Sequence, residues 1–153
     1  MKSTNEQIVK DYSKAYNSGI LQGQAYKTLQ NFLSRALLPY NLSIPEWKLL
    51  GQLYDHRELR VADLASLLAY DPPLVTSLID SLEKKKLLRR KTHKRDRRVK
   101  MIIPLQKTLD LIPIIEPEVR KVLASLLIGI TPDEMKIYIK ILQNIVVQGK
   151  ELS

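Results

Sequence analysis

The chain has 153 residues, of which 44% are hydrophobic, and its formal net charge is +9. This length and hydrophobic content suit a packed domain of ordinary size and exclude a disordered chain. Cysteine is absent and no apolar run approaches membrane-spanning length, which excludes disulfides, thiolate metal sites and membrane spans, so we expect a cytoplasmic protein without a membrane partner.

The N-terminal segment has a helical pattern with one interruption. Apolar residues recur at three- and four-residue spacing up to Tyr16, and again from Leu21 to Leu37. Between them, residues 17–19 read Asn-Ser-Gly, which is typical of a turn. We therefore predict a short leading helix followed by a longer one, with a single helix weakened at Gly19 as the alternative.

The next segment has the signals of a helix start at Ser43. Glu46 follows three residues later and Pro45 lies in the first turn, which is the pattern of a capping box with a tolerated proline. After a polar turn at residues 55–58, the sequence predicts a very short strand at residues 59–61 and a short helix at residues 63–68.

A second short helix follows a tight turn. Asp71 precedes a double proline, and the helix is predicted to start there and to end near Lys85. Two short helices joined by a tight turn are typical of a helix-turn-helix, in which the second helix reads bases with its N-terminal half. The core-facing residues of that helix are expected to be Val75, Leu78, Ile79 and Leu82.

Residues 87–103 predict a β-hairpin with a polar tip at residues 92–96. Val99, Met101 and Ile103 alternate with differently facing residues, and Pro104 ends the run. A helix-turn-helix followed by a β-hairpin is a winged helix. Because Leu and Ile dominate the apolar residues and Gly is scarce, the predicted fold class is mainly α, with this hairpin as a small β wing.

The C-terminal third is apolar and helical. Pro113 and Pro117 fall inside the first pattern and are expected to kink or split it. Thr131, followed by Pro132 and by Glu134, is the clearest helix start in the chain. Apolar stripes at both ends of a chain of this size predict burial in a twofold dimer. We therefore expect N-terminal dimerisation helices at 1–40, a DNA-binding lobe at 41–104 and C-terminal dimerisation helices at 105–153.

The positive charge is concentrated in one short window. Residues 84–100 contain eleven Lys or Arg residues and a single acid, Asp96, and since the whole chain carries +9, the remaining residues are almost neutral. A cluster of cations on a hairpin that follows a helix-turn-helix indicates a duplex phosphate backbone as the partner.

Residues 42–99 resemble the MarR family of transcriptional regulators. The most specific match is residues 87–98, in which Asp96-Arg97-Arg98 corresponds to the Asp-x-Arg signature of the family's wing. Residues 75–85 are similar to the family's recognition helix, and residues 42–47 to the entry into its second helix. The chain departs from the family at Lys86, where glycine is common and a left-handed residue is needed, and at Ser77, where arginine is frequent.

The resemblance implies a homodimer whose recognition helices enter the major groove and whose wings reach the minor groove of double-stranded DNA. It implies that Arg98 enters the minor groove, with Asp96 orienting its guanidinium. The wing residues expected at DNA are Lys94, Arg95, Asp96, Arg97 and Arg98, the recognition-helix residues are Pro73, Leu74, Thr76 and Ser77, and the backbone-contacting residues are Arg90, Lys91 and His93. For Arg90 the alternative is a strand residue facing water, and for Thr76 it is a helix residue bonding its own backbone.

The function expected from these features is sequence-specific regulation of transcription. The resemblance favours a repressor with a small-molecule effector, acting at a pseudo-palindromic operator whose half-sites lie about one turn apart, ~34–36 Å. The alternative is a winged-helix module for RNA binding or protein assembly. We expect no enzyme, no cofactor and no metal, because the sequence has no catalytic triad order, phosphate-binding glycine loop or metal-ligand spacing.

Overall fold

A computed structural model describes residues 12–93 and 99–152. The chain divides into two compact units, Met1–Leu123 and Ala124–Ser153. Over the described residues the helices are α1 (Tyr12–Leu37), α2 (Ile44–His56), α3 (Val61–Leu68), α4 (Pro72–Lys84), α5 (Gln106–Ser125) and α6 (Pro132–Glu151), with a 3₁₀ turn at Leu38–Tyr40. The strands are β1 (Leu59–Arg60), β2 (Leu88–Thr92) and β3 (Lys100–Pro104).

The sequence of elements from α2 to β3 is a winged helix-turn-helix. Helices α3 and α4 are the two helices of the motif, and β2 and β3 pair antiparallel as the strands of the wing. Strand β1 pairs with β3 on its other side, so the order in the sheet is β1-β3-β2. The predicted fold class, mainly α with a winged helix-turn-helix and a small β-hairpin, is confirmed. The dimerisation role of the flanking helices stays a prediction.

Helix α1 runs without interruption through residues 17–19, so the expectation of two separate helices is wrong and the alternative is confirmed. Glycine in a helix interior costs only about 1 kcal/mol relative to alanine, and it removes no backbone donor. The described part of α1 spans 26 residues, so that cost is spread over a long run of backbone hydrogen bonds.

Helix α2 begins with the predicted capping box. The side-chain oxygen of Ser43 accepts from the backbone N–H of Glu46, and Glu46 Oε2 accepts from the backbone N–H of Ser43 at 2.8 Å. The helix continues to His56, so the predicted polar turn at 55–58 begins inside it, and Arg57 ends it with a φ of 65°. Its inner face contributes Leu49, Leu50 and Leu53 to the core, all completely buried.

The sheet closes the core of the lobe from one side. Ile102 of the central strand is completely buried and lies opposite Leu59 of β1 and Arg90 of β2. The alternating residues Met101 and Ile103 are half-buried on the other face of β3. The core side of β3 is therefore set by Ile102, since successive side chains of a strand point to opposite faces.

Helix α5 contains Pro113 and Pro117 without being split, so of the two expected outcomes the split is wrong, and the kink stays a prediction. Each proline removes one backbone donor, and the two lie four residues apart, on the same face. Ile112, Ile115 and Val119 are buried in the first unit, and their burial stabilises the helix across both prolines.

Helix α6 starts at the predicted capping box, in which the backbone N–H of Thr131 donates to Glu134 Oε2 at 2.8 Å. The helix has 20 residues, and none of them is buried. Within residues 12–93 and 99–152, no helix combines the length and the apolar content that crossing a membrane requires.

Candidate nucleic-acid interface

Asp71 occupies the N-cap position of α4, as predicted, but its side chain makes no capping hydrogen bond. A capping side chain usually accepts from the second or third N–H of the helix, and Pro73 at the second position has none. The start is instead stabilised by the prolines, whose fixed φ suits the first turn, and by the Asp71 carbonyl, which accepts from the N–H of Val75 at 3.2 Å.

The two faces of α4 separate as the sequence predicts. Val75, Leu78, Ile79 and Leu82 are buried in the core, which confirms the expected inner face. The four residues expected at bases, Pro73, Leu74, Thr76 and Ser77, are all exposed, and their spacing brings them together on the outer side of the first two turns. The core therefore fixes which side chains α4 presents to solvent.

Thr76 bonds its own helix. Its hydroxyl donates to the Pro72 carbonyl at 3.0 Å. This carbonyl is within reach of the hydroxyl because Thr76 lies one helical turn after Pro72. The local bond named above as the alternative is present, while contact with a base stays a prediction. Since the hydroxyl hydrogen is used within the helix, Thr76 offers a ligand a methyl group and an acceptor oxygen.

The end of α4 is tied to the start of α2 by an ion pair. Lys85 Nζ donates to both carboxylate oxygens of Glu46, at 2.8 and 2.9 Å, and to the Asn41 carbonyl at 2.7 Å. Ser81 Oγ donates to Glu46 Oε1 at 2.7 Å. Glu46, whose side chain is 5% exposed, thus caps α2 and anchors α4 at once.

The ionised form of Glu46 is favoured. Burial raises the pKa of this carboxyl, but hydrogen bonds from Lys85, from the Ser43 backbone and from the Ser81 and Ser43 hydroxyls outweigh burial, so the pKa lies below its ordinary value. A buried carboxylate with four donors holds the two helices together, because a movement that removes any donor leaves part of the carboxylate charge unsatisfied.

The turn after α4 adopts the left-handed conformation that the family usually assigns to glycine. Lys86 has a φ of 57°, and the N–H of Leu87 donates to the Leu82 carbonyl at 3.0 Å. The Leu87 carbonyl then accepts from the N–H of Leu105 at 2.9 Å and from the hydroxyl of Thr108. The buried Thr108 was not singled out from the sequence, because its partner lies 21 residues away.

Arg90 is turned toward α4. Its guanidinium donates to Asp80 and to Glu83, and its backbone N–H donates to Glu83 Oε1 at 3.2 Å. These bonds connect the first strand of the wing to α4 and neutralise two acids of that helix. The expected contact between Arg90 and the DNA backbone stays a prediction.

The neighbouring strand residues Arg89 and Lys91 are exposed, on the opposite face of β2 from Arg90. Lys84 and Lys86, which flank the end of α4, are exposed as well. Among the described residues, none of these four cations forms an ion pair with an acidic side chain. Arg89 was missed in the sequence interpretation, although strict alternation from the apolar Leu88 could have identified it.

The two strands of the wing are joined beyond Thr92 and Lys100 by the N–H of His93, which donates to the Val99 carbonyl at 3.0 Å. The five wing residues expected at DNA, Lys94, Arg95, Asp96, Arg97 and Arg98, lie outside the described residues. The structure describes the base of the wing, where the hairpin register pairs Thr92 with Lys100 and Lys91 with Met101.

A cavity of about 810 Å³ lies in the first unit. Its lining comes from α2, α3 and α5, and consists of Trp47, Lys48, Gly51, Gln52, Tyr54, Asp55, Leu67, Leu68, Ile112, Pro113 and Glu116. Aromatic and aliphatic walls with a few polar groups are typical of small-molecule sites. In the described part of the chain, no group of three or more potential ligands is arranged to hold a metal ion.

Comparison with known proteins connects this arrangement to one family. The sequence model of the MarR family matches residues 42–100, which include both helices of the motif and the wing. Among curated proteins, no sequence matches the chain significantly.

Many solved structures are similar to the chain. The transcriptional regulator PA3341 is 30% identical, with a TM-score of 0.75 over 87% of this chain and 98% of its own. A mutant of MarR from E. coli complexed with operator DNA is 17% identical, with a TM-score of 0.80 over 86% of this chain and 95% of its own. CouR from Rhodococcus jostii RHA1 bound to p-coumaroyl-CoA is 23% identical, with a TM-score of 0.75 over 83% and 90%.

Proposed function

The chain belongs to the MarR family of transcriptional regulators, and on that premise we propose that it binds double-stranded DNA in a sequence-specific manner as a homodimer. We further propose that it represses transcription and that a small molecule releases it. Members of this family are regulators of transcription and not enzymes.

The observation that carries the proposal is the combination of a rigidly held recognition helix with exposed cations beside it. Helix α4 is fixed at its C-terminal end by the contact between Lys85 and Glu46, and along its side by Arg90. Lys84 and Lys86 are exposed at the C-terminal end of α4, and Arg89 and Lys91 are exposed on the outer face of β2, so the helix end and the wing carry the positive charge that binding to phosphates requires.

The residues divide into two roles in this proposal. Pro73, Leu74, Thr76 and Ser77 face bases in the major groove, because the N-terminal half of a recognition helix contacts base edges. Arg98 enters the minor groove with Asp96 as its orienting carboxylate, and Lys94, Arg95 and Arg97 extend the positive wing. Lys91, His93 and Arg90 remain the proposed backbone-contacting residues, and the exposed Arg89 is added to them.

The dimer proposal is supported by the exposed apolar residues of α6. Ile137, Ile141 and Ile145 lie at four-residue spacing and are about half exposed, so the helix presents an apolar stripe. A stripe of this kind is expected to be covered by a second copy, and twofold symmetry then relates the two lobes. The resulting operator is pseudo-palindromic, with half-sites about one turn apart, ~34–36 Å.

The effector proposal is supported by the cavity between α2, α3 and α5. The structurally similar CouR is bound to p-coumaroyl-CoA, and we do not assign that ligand to this chain. Here the walls from Trp47, Tyr54 and Leu68 suit a ligand with an apolar or aromatic body. Such a ligand shifts the protein away from DNA only if it binds the DNA-incompetent arrangement more tightly.

The DNA-binding proposal is tested by selecting duplexes from a random 30-base-pair library with the intact protein. We expect recovery of an inverted repeat, and binding of that duplex about 10³-fold more tightly than a scrambled duplex or a structured RNA. A protein that binds RNA equally well, or that recovers no common sequence, would support the winged-helix module for RNA binding or assembly. Arg98→Ala should weaken binding to the recovered duplex by ~1–3 kcal/mol.

The effector proposal is tested through Trp47, which is the single tryptophan of the chain and lines the cavity. A library of small aromatic compounds, both neutral and charged, is screened for members that change its fluorescence and release the recovered duplex. Gly51 lies in the lining, and a Cβ placed there meets no atom within 4 Å. Gly51→Leu should therefore fill the cavity and abolish the response, whereas the smaller Gly51→Ala should retain it.

A further inference from the structure

We infer that the exposed face of α4 recognises its operator through the 5-methyl groups of thymines in the major groove. This inference rests on the proposed DNA-binding function, and it names the base feature that the recognition helix reads. The evidence is the chemistry of the side chains that α4 leaves exposed and of those that it uses internally.

The N-terminal half of α4 presents apolar groups. Leu74 is 38% exposed, and Pro73 beside it is exposed as well. Thr76 contributes its methyl group, because its hydroxyl donates to the Pro72 carbonyl at 3.0 Å. Apolar side chains and threonine methyls are the groups that contact the thymine methyl.

The side chains that form bidentate hydrogen bonds to a base are missing from this surface, and the exposed Ser77 adds a hydroxyl that does not distinguish one base from another. Residues 72–79 contain no Arg, Lys, Asn, Gln or His, so no bidentate hydrogen bond to guanine or adenine can come from that half of the helix. Further along, Asp80 and Glu83 could accept from cytosine, but Arg90 holds both carboxylates. Ser81 donates to Glu46 and lies away from the exposed face.

The helix geometry limits the contact to a short stretch. Pro73 and Ser77 are four residues apart, which corresponds to about 6 Å along the helix axis. Successive base pairs are stacked about 3.4 Å apart, so this patch covers about two base pairs in each half-site. We therefore expect one or two essential thymines per half-site at adjacent positions.

The test replaces thymine by deoxyuridine in the duplex recovered by selection. Uracil keeps the pairing and the hydrogen-bonding edge of thymine and lacks only the methyl group. Burial of one methyl group is worth about a fourfold change in affinity, so the loss of one methyl in each of two half-sites should weaken binding at least tenfold. Uracil placed only in the spacer between the half-sites should leave affinity unchanged.

Variants of α4 identify the side chains responsible. Thr76→Ser keeps the hydroxyl and removes the methyl, whereas Thr76→Val keeps the methyl and removes the hydroxyl. We expect Thr76→Ser and Leu74→Ala to reduce the ratio of thymine to uracil affinity, and Thr76→Val to preserve it. Lys91→Gln is the matched control, because losing a phosphate contact weakens both duplexes equally and leaves the ratio unchanged.

The outcomes separate this inference from the function on which it rests. If the protein binds neither duplex, the proposed DNA-binding function fails. If it selects a specific duplex but binds the uracil version equally well, the function stands and methyl recognition is overturned. A uracil effect that all three α4 variants leave unchanged would overturn the assignment to Leu74 and Thr76.

Discussion

The winged-helix lobe and helix α6 show similar apolar periodicity in the sequence, yet they use it differently. In the lobe, Leu50, Leu53 and Ile79 are completely buried within one chain. In α6, Ile137, Ile141 and Ile145 repeat at helical spacing, but no residue of that helix is buried. The lobe therefore has its own core, whereas the stripe of α6 requires a surface from outside the helix.

This difference teaches that an amphipathic pattern specifies a buried face without specifying what covers it. The lobe is stabilised by contacts within the chain, so its fold should tolerate loss of the dimer. The proposed dimer should tolerate changes on the proposed DNA-binding face in the same way. Variants that affect one property and leave the other intact test this separation.

The largest effect is expected from a charge in the stripe of α6. Ile141, which is 50% exposed, would become Glu in both subunits of a symmetric dimer. If each copy of the charge weakens association by about 2 kcal/mol, the dissociation constant of the dimer should rise about a thousandfold. Light scattering coupled to gel filtration should give a monomer at micromolar concentration, with the unfolding of the lobe still cooperative.

The control for this variant is Lys136→Glu, which places the same charge on α6 at a side chain that is 79% exposed. It should remain dimeric. A dimeric Ile141→Glu protein would show that the α6 stripe is not the subunit interface. The proposal that a second copy of the chain covers this stripe would then be wrong.

A cavity in the lobe should lower the stability of the fold and leave the dimer intact. Leu50→Ala removes a completely buried side chain from α2 and should lower the free energy of unfolding by ~2–5 kcal/mol. The dimer should persist at temperatures where the lobe is folded. Urea unfolding monitored by circular dichroism, at a fixed protein concentration, measures the loss, and Leu38→Ala at a mostly exposed position is the matched control.

The ion pair between Glu46 and Lys85 should contribute less than the core, and its contribution should depend on pH. Glu46→Gln removes the charge that Lys85 and Ser81 bind, and at pH 7 it should cost about 1–3 kcal/mol of stability. Because the pKa of Glu46 is lowered in the folded state, this stabilisation is present above the ordinary value of 4.5 and is lost as the pH falls through the folded pKa.

The measurement compares the unfolding midpoints of the wild type and Glu46→Gln between pH 7 and pH 3. The two curves should converge below pH 4.5. Lys84→Met, at an exposed lysine next to Lys85, serves as the control and should leave stability unchanged. Parallel curves over the whole range would show that the charge of Glu46 does not anchor α4.

The smallest effects on stability should distinguish the two faces of β2. Arg90→Gln breaks the contacts with Asp80 and Glu83 and should lower stability by about 1 kcal/mol, because these groups are partly exposed. Arg89→Gln should leave stability unchanged. It should reduce the slope of log affinity against log salt concentration by about one, which corresponds to the loss of one phosphate contact. Equal losses of stability in the two variants would refute the division of roles.

The features that the sequence predicts correctly are those set by neighbouring residues. Ser43 with Glu46, and Thr131 with Glu134, are three residues apart, so both capping boxes follow from local pattern alone. The buried face of α4 follows from its period in the same way. Gly19 was misread because a turn tripeptide is only a local preference, which a long helix overrides.

The roles of the cations could not be predicted from the charge window. Lys85 bonds Glu46, 39 residues away, and Arg90 bonds two acids on the preceding helix, so these two cations are partly neutralised within the lobe. Such pairs depend on how α2, α4 and β2 pack together. The sequence gives the sign of the surface charge, while the fold decides which residues carry it.

The most direct test of a two-lobed dimer that grips DNA is a hydroxyl-radical footprint on the duplex recovered by selection. The account predicts two protected stretches related by twofold symmetry, with centres about 10 base pairs apart and with protection extending into the flanking minor grooves. A single protected stretch, or uniform weak protection along the whole duplex, would contradict it.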